Sequence, residues 1–240
     1  MSIPQHILAF LVVLIGSAIQ GAVGFGSNLF AAPLLVLIDP SLVPGPTILS
    51  SSLLNILVIR RERAPHAWRE MRWPTVGQLP GALAGAAVLS LIAKTNITVF
   101  FAILILVAVG LSLSGLHPRR TTPALTVAGF VSAFMGTAVG IGGPPIALFY
   151  QKATGPEIRA ALSRFFGIGG LLSLVMLAIF GKFDRDDLIN GVLLMPGAVV
   201  GYFLSGRLLA HVDRGHIRIA VLSLSALSAL IALTRTLLYR

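Results

Sequence analysis

Two short patches stand apart in this chain because they put small and polar residues inside otherwise apolar runs. The first, QGAVGFGSNLFAAP at residues 20–33, holds Gly21, Gly24 and Gly26, then Ser27 and Asn28. The second, GTAVGIGGPP at 136–145, holds Gly140, Gly142 and Gly143, then Pro144 and Pro145. No histidine, carboxylate or cysteine lies in either, so covalent and metal chemistry have nothing to start from. Glycines at this spacing can break a helix. A helix that restarts presents unpaired N–H groups and a partial positive charge of about half an elementary unit, which suits an anion. Backbone N–H groups near Gly24, Gly26, Gly140, Gly142 and Gly143 are therefore the expected substrate contacts. Ser27 and Asn28 have side chains able to cap the new helix or to bond a solute. Pro144 and Pro145 suit the first turn of a restarted helix, where a missing N–H matters least. The plainer alternative, small residues that pack closely around a harmless kink, stays open.

Elsewhere the residues that could do chemistry are sparse. Gln20, the Ser50–Ser52 cluster, Asn55, Gln78 and Ser163 lie at depth and either line a cavity or bond to neighbouring helices. Arg164, a few residues inside an apolar segment, either reaches to the interface or pairs with an anion. All eight acidic residues fall in or beside expected loops, so no buried carboxylate is expected for a proton relay. The five histidines lie at segment ends, leaving no metal site and no catalytic triad at depth. The glycine spacing is neither that of a dinucleotide fold nor of a phosphate-binding loop with its lysine. The expectation is a protein that is not an enzyme and carries no cofactor.

The elements that must hold these patches are membrane spans. Of 240 residues, 56% are hydrophobic and 11% charged, with mean hydropathy +0.92, too little polar surface to clothe a soluble globule. Apolar segments run near residues 7–38, 42–59, 74–93, 97–114, 123–149, 160–181, 188–209 and 216–238. The first is read as structure, since no small-residue cleavage site follows it. Segments one and five are longer than one span needs, and each contains one of the glycine patches. The net charge of +10 sits mostly in short loops, the pattern of cytoplasmic anchors, so nucleic acid is not an expected partner.

The two patches correspond. GAVGFG at 21–26 matches TAVGIG at 137–142, and PGALAG at 80–85 matches PGAVVG at 196–201, both at an offset of 116 residues. One shared, ungapped offset for two separate matches implies a duplication, with halves 1–116 and 117–240 forming one transmembrane domain. Gly81 and Gly85, like Gly197 and Gly201, share a helix face and fit close helix packing, and Pro80 and Pro196 fit a kink. If segments one and five are re-entrant or cross twice, the halves are inverted. Then 13 of the 18 basic residues share the inner side, against 11 for parallel halves. The fold class expected is an all-α integral membrane protein of two inverted repeats. Each repeat opens with a broken or re-entrant helical segment, and both termini lie outside.

At these residues the chain resembles the sulfite exporter TauE/SafE family of membrane permeases. The resemblance is carried by GAVGFGSNLFAAPLLV, by WREMRWP ahead of GQLPGALAG, and by GFVSAFMGTAVGIGGPPIALFY. It implies secondary transport of a small anion such as sulfite, sulfoacetate or another sulfonate across a bacterial inner membrane. Family members often continue with glycines where Ser27 and Asn28 stand here. The implied partners are the anion and the lipid bilayer, and a homo-oligomer is compatible with both. A passive anion channel and a non-transporting scaffold remain the alternative readings.

Overall fold

A computed structural model of the chain describes residues 3–62, 67–93, 96–150, 155–208 and 214–238. The described residues form only helices and connecting turns. In chain order these are α1 (Ile3–Val23), α2 (Ser27–Ile38), α3 (Gly45–Glu62), α4 (Ala67–Leu91) and α5 (Ile97–Leu113). They continue with α6 (Thr122–Val139), α7 (Gly143–Ala147), α8 (Gly155–Ile179), α9 (Arg185–Leu208) and α10 (Arg214–Leu238). By length and apolar composition α1, α6, α8 and α9 can each cross a bilayer, and the chain is a multi-pass membrane protein.

Segments one and five each break where the glycines stand. α1 ends at Val23 and α2 starts at Ser27; α6 ends at Val139 and α7 starts at Gly143. Gly24, Gly26 and Gly140 take φ of 103°, 106° and 77°, a left-handed backbone that a side chain strongly disfavours. Pro144 and Pro145 occupy the first turn of α7, as their geometry favours. One boundary differs from expectation: WREMRWP is not loop but the first turns of α4. Met71 in that stretch is fully buried beside Tyr150 and Phe165, so tertiary packing extends the helix through a run of charges. Lys152, one of the charges behind the topology count, lies outside the described residues, as do residues 63–66, 209–213 and 239–240.

Glycine stripes set the tightest packing. A Cβ on Gly77, Gly81 or Gly85 of α4 would overlap the carbonyl oxygens of Thr126, Phe130 and Phe134 on α6. On α9, Gly197 and Gly201 lie against the carbonyls of Phe10 and Leu14 on α1. Both residue orders show that the paired helices run in parallel. α3 also runs parallel to α9, with Gly45 at Phe183, Leu49 at Gly191 and Arg61 at Ser205. Against α8 it runs antiparallel, with Ser52 at Gly170 and Glu62 at Arg159. α4 begins five residues after α3 ends. That reach of at most about 18 Å is shorter than the roughly 27 Å of α3, so α4 starts at the end where α3 stops. Gln78 of α4 bonds Phe165 O of α8, and Thr137 of α6, which Gly85 faces, bonds Ser173 further along α8, so α4 and α6 run with α8 and opposite to α1, α3 and α9. The short α2 lies between α1 and α10, where Ser225 Oγ donates to Leu29 O at 2.6 Å.

Candidate functional site

The two breaks meet. Asn28 Nδ2, in the first turn of α2, donates to Gly140 O at 2.9 Å, joining residues 112 apart in the chain. Between the breaks lies a cavity of about 70 Å³, lined by Gly26 and Asn28 from one and Gly140, Gly142 and Gly143 from the other. On the same measure a single water needs roughly 10–15 Å³, so a handful of non-hydrogen atoms fit and a large metabolite does not. Gln20, Ser51, Asn55, Gln78, Ser132 and Ser173 complete its polar wall, with Leu29, Phe165 and Phe166 among the apolar lining.

The polar groups of this wall are oriented by one another. Gln20 Nε2 donates to Asn55 Oδ1 at 2.8 Å, and Gln20 Oε1 accepts the Ser27 N–H at 3.2 Å. Gln78 Nε2 donates to Phe165 O at 2.7 Å, and Thr137 and Ser173 share a hydroxyl pair at 2.7 Å. Two of the backbone carbonyls that would repel an anion are occupied: Gly140 O by Asn28, and Gly142 O by Ser132 Oγ. The N–H groups of Gly26, Asn28 and Gly142 have no hydrogen-bond partner among the described residues. Among the described residues the wall holds no charged side chain, and its unpartnered groups are these N–H donors together with one acceptor, Gln78 Oε1. It can accept a small oxyanion by backbone donation, at the cost of the ion's hydration.

Of the eight residues singled out from sequence, Gly26, Asn28, Gly140, Gly142 and Gly143 come together here. The other three lie elsewhere. Gly24 packs against Arg159, whose Cγ would stand 3.0 Å from an added Cβ. Ser27 is buried at the start of α2 and caps nothing, since Gly26 is the cap residue and no side chain bonds there. Arg164 lines a separate, largely apolar groove between α3 and α8, with Leu49, Ser52, Ile56 and Leu171. Ser163 is fully buried and outside the cavity wall.

One expectation is corrected outright. Glu62 does stand beside a loop, as the last residue of α3, but against the expectation of no buried carboxylate its side chain is only 7% exposed. It grips Arg159 with both oxygens, Nε to Oε1 at 2.8 Å and Nη2 to Oε2 at 3.0 Å. Arg61 Nε bonds the same Oε1 at 2.9 Å. Arg159 and Arg61 were indistinguishable from loop anchors in sequence, because RRER and PEIR read as charge runs at helix ends. Ser132, Ser173 and the Gly169–Gly170 pair were also missed. Serines and glycines in an apolar helix carry no signal of which face they occupy until the partner helix is known.

Comparison with known proteins places a family model, Sulfite exporter TauE/SafE, over residues 8–231 of the chain. No curated protein and no solved structure matches.

Proposed function

The chain belongs to the sulfite exporter TauE/SafE family, and from that premise we propose that it is a secondary transporter of a small sulfur oxyanion. The family implies permease activity toward sulfite or a related sulfur anion. Our finer reading is that sulfite, sulfoacetate or another sulfonate binds in the cavity between the two helix breaks. The observation that carries this reading is the Asn28–Gly140 contact. It draws both breaks around one small space and occupies the Gly140 carbonyl with a donor. Backbone donors at Gly26, Asn28, Gly142 and Gly143 take the oxygens. The small volume fits an inorganic oxyanion or a sulfonate head group with its tail along the apolar wall.

We further read residues 1–116 and 117–240 as inverted repeats, which the opposite directions of α1 and α6 support. Paired broken segments from such repeats are where transporters of other families also hold their solutes. The chain would lie in a bacterial inner membrane with both termini on the outer face. Calorimetric titration of the purified protein with sulfite, methanesulfonate and choline tests the site. Saturable binding of an anion, weakened by Asn28→Asp, is expected. Binding of choline in preference to both anions would refute it.

A further inference from the structure

We propose that Arg159 is a second anion-binding residue, and that exchange of its Glu62 partner for the transported oxyanion frees α1 to move one helical turn along α9. The proposal rests on reading the cavity as an anion site.

The Glu62 carboxylate sits in the Arg159 guanidinium as a planar, two-oxygen anion, the shape that a guanidinium fork recognises in any oxyanion. Both side chains are more than nine-tenths buried. Removing one partner of such a pair leaves a costly unpaired charge, whereas replacing the carboxylate by another oxyanion does not. Among the described residues two arginines share this one carboxylate, which leaves the cluster a surplus positive charge. That surplus is partly offset by the C-terminal carbonyls of α1, where Arg61 donates to Gly21 O and Arg159 Nη1 approaches Ala22 O at 3.5 Å. Arg159 lies directly against the first break, since its Cα and Cγ would touch any side chain at Gly24.

The cluster also fixes a register. Arg61 bonds α1 through Gly21 O and α9 through Ser205 Oγ at 2.8 Å, tying those two helices at one height. In that register Gly197 and Gly201 lie on the carbonyls of Phe10 and Leu14. The matching glycines 116 residues earlier, Gly81 and Gly85, lie on Phe130 and Phe134, which correspond to Leu14 and Ala18. The α4–α6 pair therefore sits four residues, about 6 Å, away from the register of the α1–α9 pair. One duplicated packing surface is thus present in two registers, and a one-turn step between them is a known kind of switch. The positions equivalent to Arg61, Ser205 and Arg159 are Leu177, Leu89 and Val43, all buried. The ionic tie therefore exists for one pair alone. While Arg159 and Arg61 share Glu62, Arg61 stays on Gly21 O and Ser205. An oxyanion on Arg159 leaves Glu62 to Arg61 alone, and the step to the second register requires that this re-formed pair swing off Gly21 O and Ser205, which is what unties α1 from α9.

The absence of native cysteines allows nitroxide labels at matched exposed sites, Leu11→Cys with Val192→Cys and Val76→Cys with Val127→Cys. Electron paramagnetic resonance distances would be read in the full chain in lipid nanodiscs. In wild type the two pairs are expected to differ. Sulfite or methanesulfonate should move the 11/192 pair toward the 76/127 value, an axial shift of up to about 6 Å. Glu62→Gln should make that shift without added anion, and Arg159→Lys, which keeps charge but loses the fork, should abolish the response to anion. An unshifted Glu62→Gln protein that still binds sulfite calorimetrically would overturn the latch alone, as would an Arg159→Lys protein that responds like wild type. If wild type binds neither anion while Glu62→Gln still shifts, the cavity reading and the exchange with an oxyanion fall together.

Discussion

Asn28 is the residue at which an anion site and a mere packing contact give different numbers. Its Nδ2 donates to Gly140 O at 2.9 Å across the two breaks, and it lines the cavity. Asn28→Ala removes one neutral hydrogen bond and leaves the carbonyl unsatisfied, a loss of about 1–2 kcal/mol. That corresponds to roughly a 5- to 30-fold fall in affinity if it is felt wholly in binding. Asn28→Asp keeps the volume but sets a carboxylate at the wall. Two like charges about 4 Å apart repel by about 4 kcal/mol at an effective dielectric constant near 20. The expected fall is then on the order of a thousandfold. Sulfite titration calorimetry on both variants, with thermal unfolding as a check on folding, separates the cases. Equal losses in the two variants would refute an anion held beside residue 28.

The glycine stripes make a stability prediction: Gly81→Ala and Gly201→Ala each force backbones apart and should cost about 1–3 kcal/mol in thermal unfolding. Gly110→Ala, with nothing near its added methyl, should stabilise α5 by about 0.5–1 kcal/mol. Gly140→Ala, placed at φ 77° beside Thr47, should lower both stability and sulfite affinity, read by melting and calorimetry together. Arg164→Ala, in the α3–α8 groove, should reduce sulfite affinity less than Asn28→Ala does. A reporter fused after Arg240 should be active only on the periplasmic side, and cytoplasmic activity would contradict inverted halves.

The features legible in sequence were those repeated in it. The breaks at 24–26 and 140–142 and the close-packing glycines 81, 85, 197 and 201 each appear twice, and all of them form the local structure expected. Pairing across the halves was not legible, because it depends on which faces meet. Nothing local tells that Asn28 reaches Gly140 rather than capping its own helix, or that Arg164 faces a different groove. The ionic cluster failed for a related reason. Glu62 and Arg159 each end or begin a helix, where a charge usually faces water. Only the antiparallel run of α3 against α8 brings them into contact and buries both.

The most direct measurement is counterflow in proteoliposomes made from the full chain. Vesicles preloaded with unlabelled sulfite should take up labelled sulfite faster than empty ones, with saturation, and Asn28→Asp should abolish the stimulation. Uptake that rises linearly with concentration, ignores the preload, or favours a cation would contradict a carrier with an anion site between the two breaks.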